Sequence, residues 1–284
     1  MEFGLIKIAV GVIAFALGSY FDLFNKRNVP DVLSYAFLAI SALLALLSPP
    51  NISILGIAVP SMWFFAIACA LSIIGFAVYK MGYVGGADVI FLVALFLILP
   101  VHPFREQTFF FLYILIFAGV LFTLYFLAYY GGRIIEKRIM PDRFRAIVSL
   151  LLFVGYVVII YMVNSLISIS FEGMFFLLLL IFSSSFFYAY RDSINDWMIE
   201  NVEVGKIEEE DVIAIEKMDQ ALVKKYNIGK LVDSGMLEKL KTIGEKEKIE
   251  KFPIYKNMPF FLPFLFLSLL INLVFEIAVV NSFI

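Results

Sequence analysis

Apolar positions in this chain gather into long unbroken runs separated by short polar breaks. Residues 3–21, 32–48, 61–79, 88–100, 108–130, 146–168, 174–190 and 258–280 form eight such runs. About 20 apolar residues cross a bilayer as a helix, and fewer suffice where the helix is broken or shielded by protein. Each run therefore predicts a membrane helix, although the fourth is short and the sixth and seventh are joined by only a few residues. The first run is longer than a secretory h-region and ends in Asp22 instead of a small-residue cleavage site, so it reads as a retained span. The pattern predicts an all-α polytopic membrane protein with about eight transmembrane helices.

One stretch breaks the pattern. Residues 191–257 hold most of the charge, including Glu208, Glu209, Glu210, Asp211, Lys224, Lys225 and the run from Glu245 to Lys251. Residues 198–204 are expected to form a short strand. The apolar positions Val212, Ile213, Ile215, Met218, Leu222 and Val223 fall at mostly helical spacing over 210–225. The expected organisation is a transmembrane domain over 1–190, a small α+β insert over 191–257 and a last helix over 258–284.

Composition agrees with the runs: 62% of residues are hydrophobic and 17% aromatic, well above a soluble domain. The net charge of −2 supplies no basic field for nucleic acid. The single cysteine, Cys69, excludes a disulfide framework and any cysteine-based zinc site; inside its apolar run it reads as a small buried residue. Loop charge gives orientation. Connections one, three and five carry Lys26 and Arg27, then Lys80, then Arg133, Lys137, Arg138, Arg143 and Arg145, whereas the even connections carry only Arg105. The odd side, and with it the 191–257 insert, is expected to be cytoplasmic, with both termini outside.

Ionisable groups at membrane depth are costly and mark candidate chemistry. Asp22 ends the first run and Asp88 opens the fourth, 66 positions later, and span counting puts both on the cytoplasmic side. Two facing carboxyl groups that share one proton can hydrolyse a peptide: the ionised partner activates water and the protonated one polarises the scissile carbonyl. The residues before Asp88, Gly85-Gly86-Ala87, have little side chain and would let a substrate strand approach the backbone. Plainer roles exist. Asp88 would serve as the N-cap of its helix, Asp31 as the N-cap of the second, and Asp22 as a partner of Lys26 or Arg27.

The two acids together resemble a known family, the aspartic peptidases of the type IV prepilin and archaeal preflagellin class, related in motif to presenilins. In that class the first aspartate follows the first span and precedes a proline-containing entry to the second; Asp22 with Val29-Pro30-Asp31 matches. The second ends a Gly-x-Gly-Asp motif at the start of the fourth span; Gly85-Gly86-Ala87-Asp88 matches with alanine for the final glycine. Phe252-Pro253 and Met258-Pro259-Phe260, leading from the insert into the last span, are similar to the archaeal members. The resemblance implies a membrane endopeptidase with Asp22 and Asp88 as catalytic pair and Gly85, Gly86 and Ala87 against substrate. It implies a six-helix core, removal of short basic leaders from pilin-like or archaellin precursors, and no cofactor. The four-cysteine metal site and N-terminal methylation of bacterial relatives are not implied, since Cys69 is alone. Glu208 to Asp211 then form a candidate docking patch for a basic leader.

Rival constellations are poorer. His102, the one histidine, falls on the outer side, away from both aspartates. Asp192 and Asp196 stand one helical turn apart, a spacing that suits a solvated face or an ion pair near Arg191 better than two facing acids. Ser183-Ser184-Ser185 suits helix packing. A transporter coupled to ions or protons is the alternative function, but it calls for acids deep within spans. A non-catalytic scaffold would use Asp22 and Asp88 only as interface anchors.

Overall fold

A computed structural model describes the whole chain except residues 1, 26–27, 51, 55–56, 83, 102–108, 169, 257–258 and 275–284. Lys26, Arg27, Tyr83, His102, Arg105 and Met258 therefore lie outside the described residues. The apolar runs are helical: α1 (Glu2–Phe24), α2 (Asp31–Leu47), α3 (Ser61–Lys80), α4 (Gly86–Ile98), α5 (Phe110–Glu136), α6 (Arg143–Ile167) and α7 (Phe171–Ala189). A short antiparallel pair, β1 (Ile52–Ile54) and β2 (Ile57–Val59), joins α2 to α3.

Four of these helices are long and apolar enough to cross a membrane: Phe3–Phe24, Ser61–Lys80, Phe110–Glu136 and Arg143–Ser165. Gly173–Ala189 qualifies as a fifth only together with the bent continuation α8 (Arg191–Met198). Among the described residues, the expectation of eight spans is thus met by length for four or five. At about 1.5 Å per residue, the 13 residues of α4 reach roughly 20 Å, short of a hydrocarbon core of about 30 Å. Its surroundings account for the shortness. Phe91 and the stretch from Val93 to Ile98 are all buried, so α4 is apolar all round because protein covers it. The long α6 instead leaves Leu150, Leu151, Tyr156, Ile159, Tyr161 and Met162 exposed, as a lipid-facing helix does.

The chain divides into two compact units, one of residues 1–108 with 195–260, the other of residues 109–194 with 261–284. In the second, α5 packs on α11 (Leu262–Val274) and α6 on α7. The Ser268 hydroxyl donates to the Ile114 carbonyl at 2.7 Å, and Ser149 to the Ser185 carbonyl at 2.6 Å. Ser183 and Ser185 are buried, whereas Ser184 is exposed and donates to the Leu180 carbonyl of its own helix, so the expected packing role fits only the buried two.

The first unit contains α1 to α4 and the charged lobe. In the lobe, β3 (Ile199–Glu203) pairs antiparallel with β4 (Lys251–Tyr255), with Val202 opposite Phe252 and Glu200 opposite Ile254. α9 (Gln220–Tyr226) and α10 (Ser234–Glu247) start at Asp219 and Asp233, whose carboxylates accept the Ala221 and Met236 N–H groups. Val202, Ile213, Leu240, Ile243, Phe252 and Ile254 form the shared core. The helical reading of 210–225 needs correction. Only its last third is α-helix, because Val212 and Ile213 form backbone bridges to Leu231 and Ile254.

Three further expectations change. Asp31 does not cap α2: Pro30 holds that position and Asp31 lies in the first turn. Asp88 does not cap α4: Gly85 does. Cys69 is exposed on α3 rather than buried.

The turn between α3 and α4 depends on Gly82, whose φ of +71° is a left-handed conformation and whose absent Cβ would sit 3.2 Å from Val212 Cγ1. Gly82→Ala is expected to cost about 1–2 kcal/mol from backbone strain alone. Its thermal midpoint in detergent should fall, whereas that of Gly155→Ala, where nothing lies within 4 Å, should not. Equal midpoints for the two variants would remove the strain account.

Candidate functional site

Three aromatic side chains set the geometry of the first unit. Phe15 of α1 lies 5.7 Å from Phe37 of α2 and 5.3 Å from Phe91 of α4, and Phe37 and Phe91 are 5.1 Å apart. All three are buried, and the edge-to-face contacts of Phe15 add to the apolar area they remove from water. On α2, the buried positions Ser34, Phe37, Ser41, Leu44 and Ala45 form one face, small enough for the backbones to come close. α1 and α2 are thereby fixed on α4. Asp22 lies two turns beyond Phe15, and Asp88 one turn before Phe91.

Asp22 is 7% exposed in the last turn of α1, which runs to Phe24 and not to the expected end at residue 21. Asp88 is half-buried and is the third residue of α4. Its carboxyl group accepts a hydrogen bond from the Gly85 N–H, so the side chain turns back over the helix start. The carboxyls of Asp22 and Asp88 are within Coulombic range of each other. The structure therefore places the two acids that the sequence singled out within reach of each other's charge. Two carboxyls that come within hydrogen-bond reach of each other share a proton more readily than both ionise.

Gly85, Gly86 and Ala87 form the turn beside Asp88. Gly85 is exposed, and a Cβ there would lie 3.2 Å from Asp88 Oδ2, so a larger residue would crowd the carboxyl. Gly86 is covered by the protein itself: a Cβ would meet the Tyr79 ring at 3.2 Å and Glu210 Oε1 at 3.6 Å. Tyr79 donates its hydroxyl hydrogen to that same Glu210 oxygen at 2.9 Å. Sequence reading missed Tyr79 and the aromatic trio. A tyrosine at the end of an apolar run and three phenylalanines among many carry no local signal.

The acidic patch is partly committed. Asp211 binds Lys256 Nζ at 2.6 Å and accepts the Glu208 N–H at 2.9 Å; Glu208, Glu209 and Glu210 are all exposed, but the Glu210 carboxylate accepts from Tyr79. The rival pair does not face itself. Asp192 binds Arg145 at 2.7 Å and Asp196 binds Lys217 at 2.6 Å, so each is held by a separate cation. Among the described residues, no group of three or more His, Cys, Asp or Glu side chains is placed to hold a metal ion.

No family model, curated protein or solved structure matches the chain.

Proposed function

We propose that this chain is a membrane aspartic endopeptidase, with Asp22 and Asp88 as its catalytic pair. Its substrates are type IV prepilin-like or preflagellin precursors, from which it removes short basic leaders at the cytoplasmic membrane edge. One observation carries the reading: acids 66 positions apart in sequence, on α1 and α4, are within Coulombic range at the ends of helices locked by the Phe15, Phe37 and Phe91 contacts. The motif resemblance supplies the substrate class. In this reading α2, α4 and α11 cross the bilayer as protein-shielded spans, which completes a count of eight and puts the lobe in the cytoplasm.

Co-expression of a prepilin or archaellin precursor with the wild type, Asp22→Asn and Asp88→Asn tests the proposal directly. Leader removal by the wild type and by neither variant supports it; removal by either variant overturns it.

The exposed Glu208 and Glu209 are assigned to attracting the leader's lysines and arginines. The double change Glu208→Gln with Glu209→Gln should raise KM severalfold at low ionic strength with kcat unchanged. Added salt should close the gap, because exposed charges are screened beyond about 10 Å at 0.1 M. Identical KM values at low salt would dispose of this assignment.

A further inference from the structure

The lobe touches the turn of the second aspartate through one hydrogen bond and one packed glycine. Tyr79 lies in the last turn of α3, Gly86 begins α4, and Glu210 comes from the lobe, 131 positions beyond Tyr79. The Tyr79–Glu210 pair lies over Gly86, two residues before Asp88. Glu210 is braced for this contact. Its φ of 70° is a left-handed conformation, unusual for a residue with a side chain. Its N–H donates to the Val232 carbonyl at 2.8 Å, and the Val232 N–H donates to the Asp211 carbonyl at 2.9 Å. The Asp211 carboxylate, with 12% of its side chain exposed, is anchored on Lys256. Glu210 is exposed, yet its backbone is held at each of these points.

We propose that Glu210 is a positioning residue of the two-aspartate site: it holds the Tyr79 hydroxyl over Gly86 and so fixes the Gly85–Asp88 turn that aims Asp88 at Asp22. The contact with Gly86 explains why that position has no side chain. Any Cβ would press on the Tyr79 ring and loosen its bond to Glu210. Close by, Val212 and Lys230 sit against Gly82, so the lobe grips the turn at both ends and Glu210 provides the polar half of the grip. The carboxylate works as a hydrogen-bond acceptor, not as a charge presented to substrate, which sets Glu210 apart from Glu208 and Glu209. As a statement about catalysis this rests on the two-aspartate reading; as a statement about the turn it does not.

Hydrogen exchange and cleavage kinetics on the full chain in lipid nanodiscs test both halves, using Tyr79→Phe, Glu210→Ala and Glu210→Gln. Amides between residues 84 and 90 should exchange about tenfold faster in Tyr79→Phe and Glu210→Ala, the scale of one net hydrogen bond. They should keep the wild-type rate in Glu210→Gln, whose amide oxygen accepts the same hydrogen. In cleavage of a precursor, kcat should fall about tenfold in the first two variants with KM within twofold of wild type, and the pair combined should be no worse than either alone. Unchanged exchange in both Tyr79→Phe and Glu210→Ala overturns the proposal. So does a Glu210→Gln variant as defective as Glu210→Ala, or a rise in KM at constant kcat, which would make Glu210 a substrate contact. A wild type that cleaves no precursor would instead remove the peptidase reading, and the exchange rates would still decide whether Glu210 holds the turn.

Discussion

Asp88→Asn is expected to reduce precursor cleavage by at least about 10²–10⁴-fold, the usual worth of a positioned acid or base. Asparagine is nearly isosteric with aspartate and keeps an oxygen for the Gly85 N–H, so the start of α4 should be retained. What it loses is ionisation, and with it the proton that it would share with Asp22 in the proposed pair. Asp22→Asn should fall as far, because a single ionisable carboxyl cannot be base and acid at once. The double variant should be no worse than either single one, since residues that act as a unit are strongly non-additive. Single-turnover cleavage of purified precursor, with matched thermal midpoints to show that all variants fold, measures the loss. A variant that keeps wild-type turnover would mean that the two acids are anchors of the membrane interface.

The second large effect belongs to the lobe. Phe252 on β4 is fully buried, opposite Val202 and among Leu240, Ile243 and Ile254. Truncating a buried phenylalanine typically costs about 3–5 kcal/mol, through lost burial and the cavity left behind. Domains have only about 5–15 kcal/mol in all, and a lobe this small sits near the bottom of that range. Phe252→Ala should therefore expose the lobe to trypsin at Lys224, Lys225 and Lys239 in the full-length chain at concentrations that leave the wild type intact. Cleavage activity should fall with it, because Glu210 and Val212 reach the Asp88 turn only from a folded lobe. Wild-type trypsin resistance would show that the core tolerates the cavity.

The parts legible in the sequence were those fixed by local pattern. Apolar runs placed the helices, and β3 fell within the stretch expected to be a strand. The two acids stood out because charge at a run's end is rare. The parts that misled depended on partners far along the chain. Val212 and Ile213 fit a helical spacing, but their backbones pair with Leu231 and Ile254, and no nearby residue signals that. Asp31 and Asp88 look like caps by composition, yet Pro30 and Gly85 take those positions, and Asp88 reaches back from the third place. The contact between Tyr79 and Glu210 was least visible, since nothing in either segment announces the other. Run composition does not tell protein cover from lipid: α4 is buried by protein, and a packed helix is as hydrophobic as one that meets lipid.

The unit that holds both acids is discontinuous in sequence, and this gives the protein a timetable. A ribosome releases Asp22, Asp88 and their four helices first. The lobe that completes their unit begins near residue 195, roughly a hundred residues after Asp88. At about 5–20 residues per second the turn waits on the order of 5–20 s for its cover. During that interval the nascent chain has both acids but lacks Tyr79's partner. The Asp88 turn thus takes its final form only after the lobe has been made and has folded.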